Sequence, residues 1–222
     1  MTLGQLAAYA VCIRFAERLW RKETNMNNRV LGTIGMICAP GLLFEALIPG
    51  GNDSNVVVGI CSMIFMIGSF ASHFGLWRIA ASGRNWWGRG VLGFHLFLVT
   101  LAFLFGVIEA GALLPDDNIL FTITDMAWPL SMVWMLPLGI TIAVVKKLEG
   151  WKRFVSLFCG FAFPGTFLIT TVFSVPMQSL ASAYIFYGYL AVVFIVLGWV
   201  VSQSEPLVER DLRVGSLSGA SN

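Results

Sequence analysis

The sequence has few charged residues. Only 12% of its 222 residues are Asp, Glu, Lys or Arg, and 57% are hydrophobic, whereas a soluble domain carries about 25% charged residues. The mean hydropathy is +0.80. These values exclude an ordinary soluble domain. Because backbone in lipid must satisfy its own hydrogen bonds, we interpret the chain as an all-α integral membrane protein.

The sequence also lacks the motifs of the common soluble chemistries. It has no P-loop, no HExxH zinc motif and no GxSxG nucleophile elbow. Its four cysteines form no CxxC pair, so we predict no disulfide framework, no metal site and no bound cofactor. No lysine lies within an apolar run, which disfavours a retinal Schiff base. An enzyme is therefore the less favoured class.

Six long apolar runs dominate the sequence. Their lengths are close to the ~20 residues that a helix needs to cross the hydrocarbon core. The connections are short, so we predict six transmembrane helices in one bundle over residues 29–203. The runs cover about 30–49, 55–78, 90–114, 119–145, 154–176 and 180–202.

Four prolines lie inside these runs. A proline removes a backbone donor and can kink or break a helix, so irregular helices are expected in the first, fourth and fifth runs. The prolines are Pro40, Pro129, Pro137 and Pro164.

The basic residues are distributed asymmetrically. With the N-terminus in the cytoplasm, all 14 Lys and Arg fall on the cytoplasmic side of the six runs. The positive-inside rule then predicts that both termini are cytoplasmic, in a plasma membrane that would be the inner membrane of a bacterium. This topology accounts for the positive charge, so no nucleic-acid partner is expected.

Aromatic and basic residues cluster near the predicted cytoplasmic boundary. An indole has an apolar body and one N–H donor, which suits the membrane–water interface. We interpret six of these residues as membrane-interface anchors against the lipid bilayer. They are Trp77, Arg78, Trp86, Trp87, Arg89 and Trp151.

The two ends of the chain are more polar. Within residues 1–28, Arg14, Arg18 and Arg21 share one helical face and apolar residues share another. This pattern predicts an amphipathic interfacial helix, although the segment could instead pack across the inner mouth of the bundle. Met26 is an alternative start. The tail, 204–222, is rich in Gly and Ser and is expected to be flexible.

Three acidic residues, Glu45, Glu109 and Asp125, lie within apolar runs. Each is some five or six residues from the outer end of its run, roughly 6–9 Å deep. Acids in a membrane normally face a partner, water or the bundle interior. One or more of them is protonated, or the acids face a wet outer vestibule that attracts cations. The alternative is that they form ordinary hydrogen bonds with nearby hydroxyls. Glu109 and Asp125 are on consecutive runs and could approach each other.

The two histidines of the chain lie at similar depth on either side of the first inner loop. Ser62, Ser69 and His73 share one face of the second run, and His95 shares a face of the third run with Glu109. Small residues at such spacing let helices pack closely. The alternative interpretation is a polar path that links the outer acids to the histidines.

Three functions are compatible with these patterns. The leading hypothesis is a small membrane protein that binds or transports a proton, a cation or a small polar solute. The second is a non-catalytic subunit or scaffold that binds lipids, other membrane proteins or its own copies. The third is a bis-histidine haem electron carrier, which packing of helices at about 8–10 Å disfavours.

Overall fold

The computed structural model describes residues 27–48, 55–113, 118–174, 176 and 179–204. The predicted amphipathic segment, except for its last two residues, and the tail after residue 204 lie outside the described residues. The described part of the chain is helical and contains no strand. Its helices are α1 (Asn28–Cys38), α2 (Gly41–Leu47), α3 (Asn55–Arg78), α4 (Trp86–Gly111), α5 (Ile119–Val145), a 3-10 helix (Gly150–Phe154), α6 (Val155–Gly160), α7 (Ala162–Val172) and α8 (Leu180–Ser202).

The described helices are long and apolar enough for a multi-pass membrane protein. Five segments meet this condition when α1 and α2 count as one, and a sixth does if the bent pair over residues 150–172 is a single span. The all-helical, membrane-type architecture is thereby confirmed. The runs predicted over 55–78, 119–145 and 180–202 match the bounds of α3, α5 and α8.

Several helix boundaries differ from the sequence prediction. α4 begins at Trp86 rather than near residue 90, because the Asn85 side chain caps it by accepting a hydrogen bond from the Gly88 amide at 3.0 Å. The fifth run is not one straight helix, since its two halves are bent by 70°. Pro164 lies in the first turn of α7, where its missing N–H costs no helical hydrogen bond.

The other prolines behave differently from one another. The first run breaks as predicted, with Ala39 and Pro40 between α1 and α2. The fourth run does not break, because α5 is continuous through Pro129 and Pro137. Long membrane-type helices tolerate proline when neighbouring groups satisfy the freed carbonyls.

Neighbouring helices run antiparallel, and the first and last pack together. The Asn28 side-chain amide donates to the Ser204 carbonyl at 3.0 Å, while the Tyr184 hydroxyl donates to the Ala46 carbonyl at 3.2 Å. α1 and α2 therefore pack along α8 in opposite direction and close the bundle. Residues 27 and 204 consequently lie at the same end.

The described basic residues lie at that end, in its loops or in the adjoining helix turns. We call it the basic end. This placement follows from the antiparallel packing, because the residues flank alternate connections. They are Arg29, Arg78, Arg84, Arg89, Lys146, Lys147, Lys152 and Arg153.

Candidate functional site: a buried histidine pair

His73 and His95 meet in the interior of the bundle, towards its basic end. Their ring centroids are 4.2 Å apart, with 59° between the ring planes. Both side chains are 0% exposed. α3 and α4 run antiparallel on either side of the same short turn, which explains the shared depth that the sequence predicts. The structure adds that the two rings face each other.

His73 is held in one tautomer. Its Nδ1 lies 2.7 Å from the Ser69 carbonyl oxygen. Because a carbonyl only accepts, the proton of the neutral ring belongs on Nδ1 and donates to Ser69. Nε2 then carries a lone pair. It is buried and has no hydrogen-bond partner among the described residues.

His95 is less satisfied than His73. Neither of its ring nitrogens makes a hydrogen bond of acceptable geometry within the described chain, although the backbone carbonyl of Ser131 on α5 lies close to the ring. The pair therefore has three buried imidazole nitrogens without a partner. Each such group costs about 1–3 kcal/mol. A bound proton, ion or water is the usual explanation for such groups.

Apolar side chains separate this pair from the opposite end of the bundle. The Phe194 ring lies 6.1 Å from His73 and 4.8 Å from Phe65, between ring centroids. Met66 is 0% exposed. We call Phe65, Met66 and Phe194 the apolar barrier. The barrier interrupts the polar face of α3, because it lies between Ser62 and the pair formed by Ser69 and His73.

Glu45 is buried on the far side of that barrier. Its side chain is 7% exposed and makes a hydrogen bond with the Tyr187 hydroxyl on α8. The Cys61 thiol on α3 is also near. Hydroxyl partners were one of the expected ways to accommodate an intramembrane acid, and Glu45 has such a partner.

Glu109 and Asp125 are half-buried on α4 and α5. The register of these helices is set by Phe105 and Phe121, whose rings are 5.4 Å apart. Glu109 lies four residues after Phe105, further from the basic end. Asp125 lies four residues after Phe121, nearer to the basic end. The two acids are therefore separated by about 12 Å along the helix axes. The structure does not bring them together, and the described residues contain no group of three or more His, Cys, Asp or Glu that could hold a metal ion.

The Glu45–Tyr187 hydrogen bond gives a first testable prediction. Tyr187→Phe removes the donor and leaves the buried carboxyl unsatisfied, so we expect a loss of about 2 kcal/mol in the free energy of unfolding. The measurement is a denaturant titration of the purified protein in detergent, followed by tryptophan fluorescence. Tyr184→Phe is the comparison, because its hydroxyl donates to the backbone carbonyl of Ala46 and not to a carboxyl, and we expect it to cost only about 1 kcal/mol. An equal loss in both variants would contradict a special role for Glu45.

The predicted interface anchors lie at the basic end. Trp86 is 81% exposed and Trp87 is 51% exposed, while Trp77 and Arg78 are half-buried. Trp151 stacks on Trp199 with ring centroids 5.9 Å apart. Their anchoring role remains a prediction. The sequence does not predict the Trp151–Trp199 stack, since Trp151 lies in the loop before the fifth run and Trp199 lies on the sixth run.

The structure also bears on what the histidine pair can hold. Rings with centroids 4.2 Å apart leave no space for a porphyrin between them. Sequence reasoning found both histidines but missed Phe194 and Ser131, which only the packing of α5 and α8 brings close.

Comparison of the chain with models of known protein families, with curated proteins and with solved structures finds no match.

Proposed function

We propose that the chain is a six-span membrane protein with both termini in the cytoplasm. It binds a proton or small cation at the His73–His95 pair. It transports that ion, or a small polar solute coupled to the ion, across the membrane. The observation that carries this proposal is the set of three unsatisfied imidazole nitrogens in one fully buried position. The basic end supports the orientation, because positive charge is retained on the cytoplasmic side.

A single added proton suits this geometry. A protonated imidazole has two donors, and the lone pair on Nε2 of His73 is an available acceptor. A small rotation of the tilted rings lets one ring donate to the other. In a low-dielectric interior this hydrogen bond is stronger than in water. The buried positive charge still costs free energy, so occupancy is transient, as transport requires.

The apolar barrier defines the step that transport must overcome. It lies between the histidine pair and Glu45, and one of its members, Phe194, is on α8. The broken helices α1–α2 and α6–α7 both pack against α8, and discontinuous helices commonly border transporter sites. We infer that displacement of α8 opens the barrier. Glu45, with Glu109 and Asp125 further around the bundle, would attract cations on the outer side.

The test is proton flux into proteoliposomes that contain the purified protein and an internal pH dye. A potassium gradient with valinomycin supplies the driving voltage. His73→Leu and His95→Leu should each lower the flux by about tenfold or more, because they remove a proton-accepting group. Glu109→Gln and Asp125→Asn measure the contribution of the outer acids.

Met135→Leu is the matched control, because Met135 is also 0% exposed and the change conserves volume. Its flux should equal that of the wild type. Equal flux in the histidine variants would contradict the proposal. If the wild type carries no proton or cation and co-purifies with a stable membrane partner, the subunit or scaffold alternative is favoured instead.

A further inference from the structure

A cleft lined by arginines lies at the basic end, where α3 turns into α4. Its volume is about 320 Å³. Arg78, Arg84 and Arg89 line it together with the apolar side chains of Trp77 and Leu92. None of the residues that line it is acidic. The cleft therefore combines three positive charges with an apolar wall.

The loop that forms the cleft is held in one conformation. The Ser82 hydroxyl, 2% exposed, donates to the Gly88 carbonyl at 2.9 Å. Gly88 itself lies so close to the loop that a Cβ there would meet the Ser82 carbonyl. Gly83 has φ +95°, a conformation that a side chain would strain. The turn that carries Arg84 and joins the helices of Arg78 and Arg89 is thus held by these contacts.

Arg78 is the residue that most needs a partner. Its Nη1 atom is buried and has no hydrogen-bond partner among the described residues. Arg89 lies one turn into α4 and is exposed. Both arginines line the same cleft, where their like charges repel each other, and an unpaired buried donor costs free energy. An anion bound between Arg78 and Arg89 would remove both penalties, and Arg84 adds a third positive charge at the rim.

We propose that this cleft is a binding site for a phosphate group, either the phosphodiester of a phospholipid headgroup or a free phosphate. Guanidinium groups match the oxygens of a phosphate in a bidentate manner, which an ammonium group cannot do. The half-buried indole of Trp77 offers an apolar surface for the carbon atoms attached to a phosphodiester. The site lies beyond the histidine pair towards the membrane surface, and the inference does not rest on the proposed transport function.

The experiment measures binding to the full-length protein in detergent by thermal unfolding and native mass spectrometry. The probes are dioleoyl phosphatidylglycerol, dioleoyl phosphatidylcholine and inorganic phosphate. Arg89→Gln, at an exposed position that should not disturb folding, removes one guanidinium. Arg78→Lys keeps the charge but removes the bidentate geometry. We expect each change to weaken binding by about tenfold. Lys147→Gln is the control, because Lys147 is an exposed basic residue at the same end but outside the cleft.

The three probes distinguish the sources of the phosphate. Binding of either phospholipid but not of inorganic phosphate, weakened by Arg89→Gln and Arg78→Lys but not by Lys147→Gln, identifies a lipid headgroup site. Binding of inorganic phosphate with the same response to the variants identifies a free phosphate site. The proposal is overturned if no probe binds, or if Lys147→Gln weakens binding as much as the two cleft variants.

Discussion

Gly198→Leu is expected to lower the free energy of unfolding by about 3 kcal/mol, the largest loss of stability that we predict. A Cβ at Gly198 would lie 2.6 Å from the Gly32 carbonyl oxygen and 2.8 Å from the Met36 amide nitrogen. Both atoms are backbone, so no side chain can move aside. α1 and α8 would have to separate, and the hydrogen bonds that close the bundle, including that between Asn28 and Ser204, would be lost.

The same helix supplies the control for this prediction. A Cβ at Gly188 has no neighbouring atom within 4 Å. Gly188→Leu therefore adds the same side chain to α8 in open space, and its stability should remain within about 0.5 kcal/mol of the wild type. Denaturant titration in mixed micelles measures both variants. Equal losses would show that the α1–α8 contact is not the element that closes the bundle.

His95→Leu is expected to raise the free energy of unfolding by about 1–3 kcal/mol while it lowers the proton flux by about tenfold or more. The wild-type ring buries two unsatisfied nitrogens, and replacing such a group by an apolar one of similar size removes the penalty of burial. A variant that gains stability and loses activity is typical of a functional site. His73→Leu should change stability less, because His73 has one hydrogen bond to lose.

The combination of the two measurements makes this prediction specific. A purely structural histidine pair predicts that His95→Leu destabilises the protein by lost ring packing, with no separate effect on flux. Loss of more than about 2 kcal/mol in His95→Leu, measured by the same denaturant titration, would therefore contradict a functional role for the pair. The Met135→Leu control separates general effects of core substitution from effects of the imidazole.

Much of the helical architecture was predictable from local sequence. α3, α5 and α8 follow long apolar runs, and their bounds agree with the structure because such runs persist until polar or turn residues interrupt them. The apolar run alone predicts that α4 begins near residue 90, because Trp86 and Arg89 are typical of an interfacial loop. The Asn85 cap instead brings both residues into the helix. Pro129 and Pro137 do not interrupt α5, since long apolar helices accommodate proline.

The candidate site was predictable only in part. The depth of His73 and His95 follows from counting residues from the loop, because each residue adds about 1.5 Å along the axis. Contact between them depends on the rotation of α3 and α4 about their axes. That rotation is set where Gly59 and Gly106 let the two backbones approach closely. The cluster of acids that the sequence suggested did not form, because the register of α4 against α5 separates Glu109 from Asp125.

The sequence by itself determined that the chain is helical and of membrane type, the bounds of α3, α5 and α8, and the shared depth of His73 and His95. These properties depend on local apolar length and on a constant rise per residue. Only the tertiary structure decided that the histidine rings meet, that Glu45 binds Tyr187 and that Arg78 and Arg89 line one cleft. Each of these contacts depends on how helices rotate and slide against each other, which is set by small residues on different helices acting together.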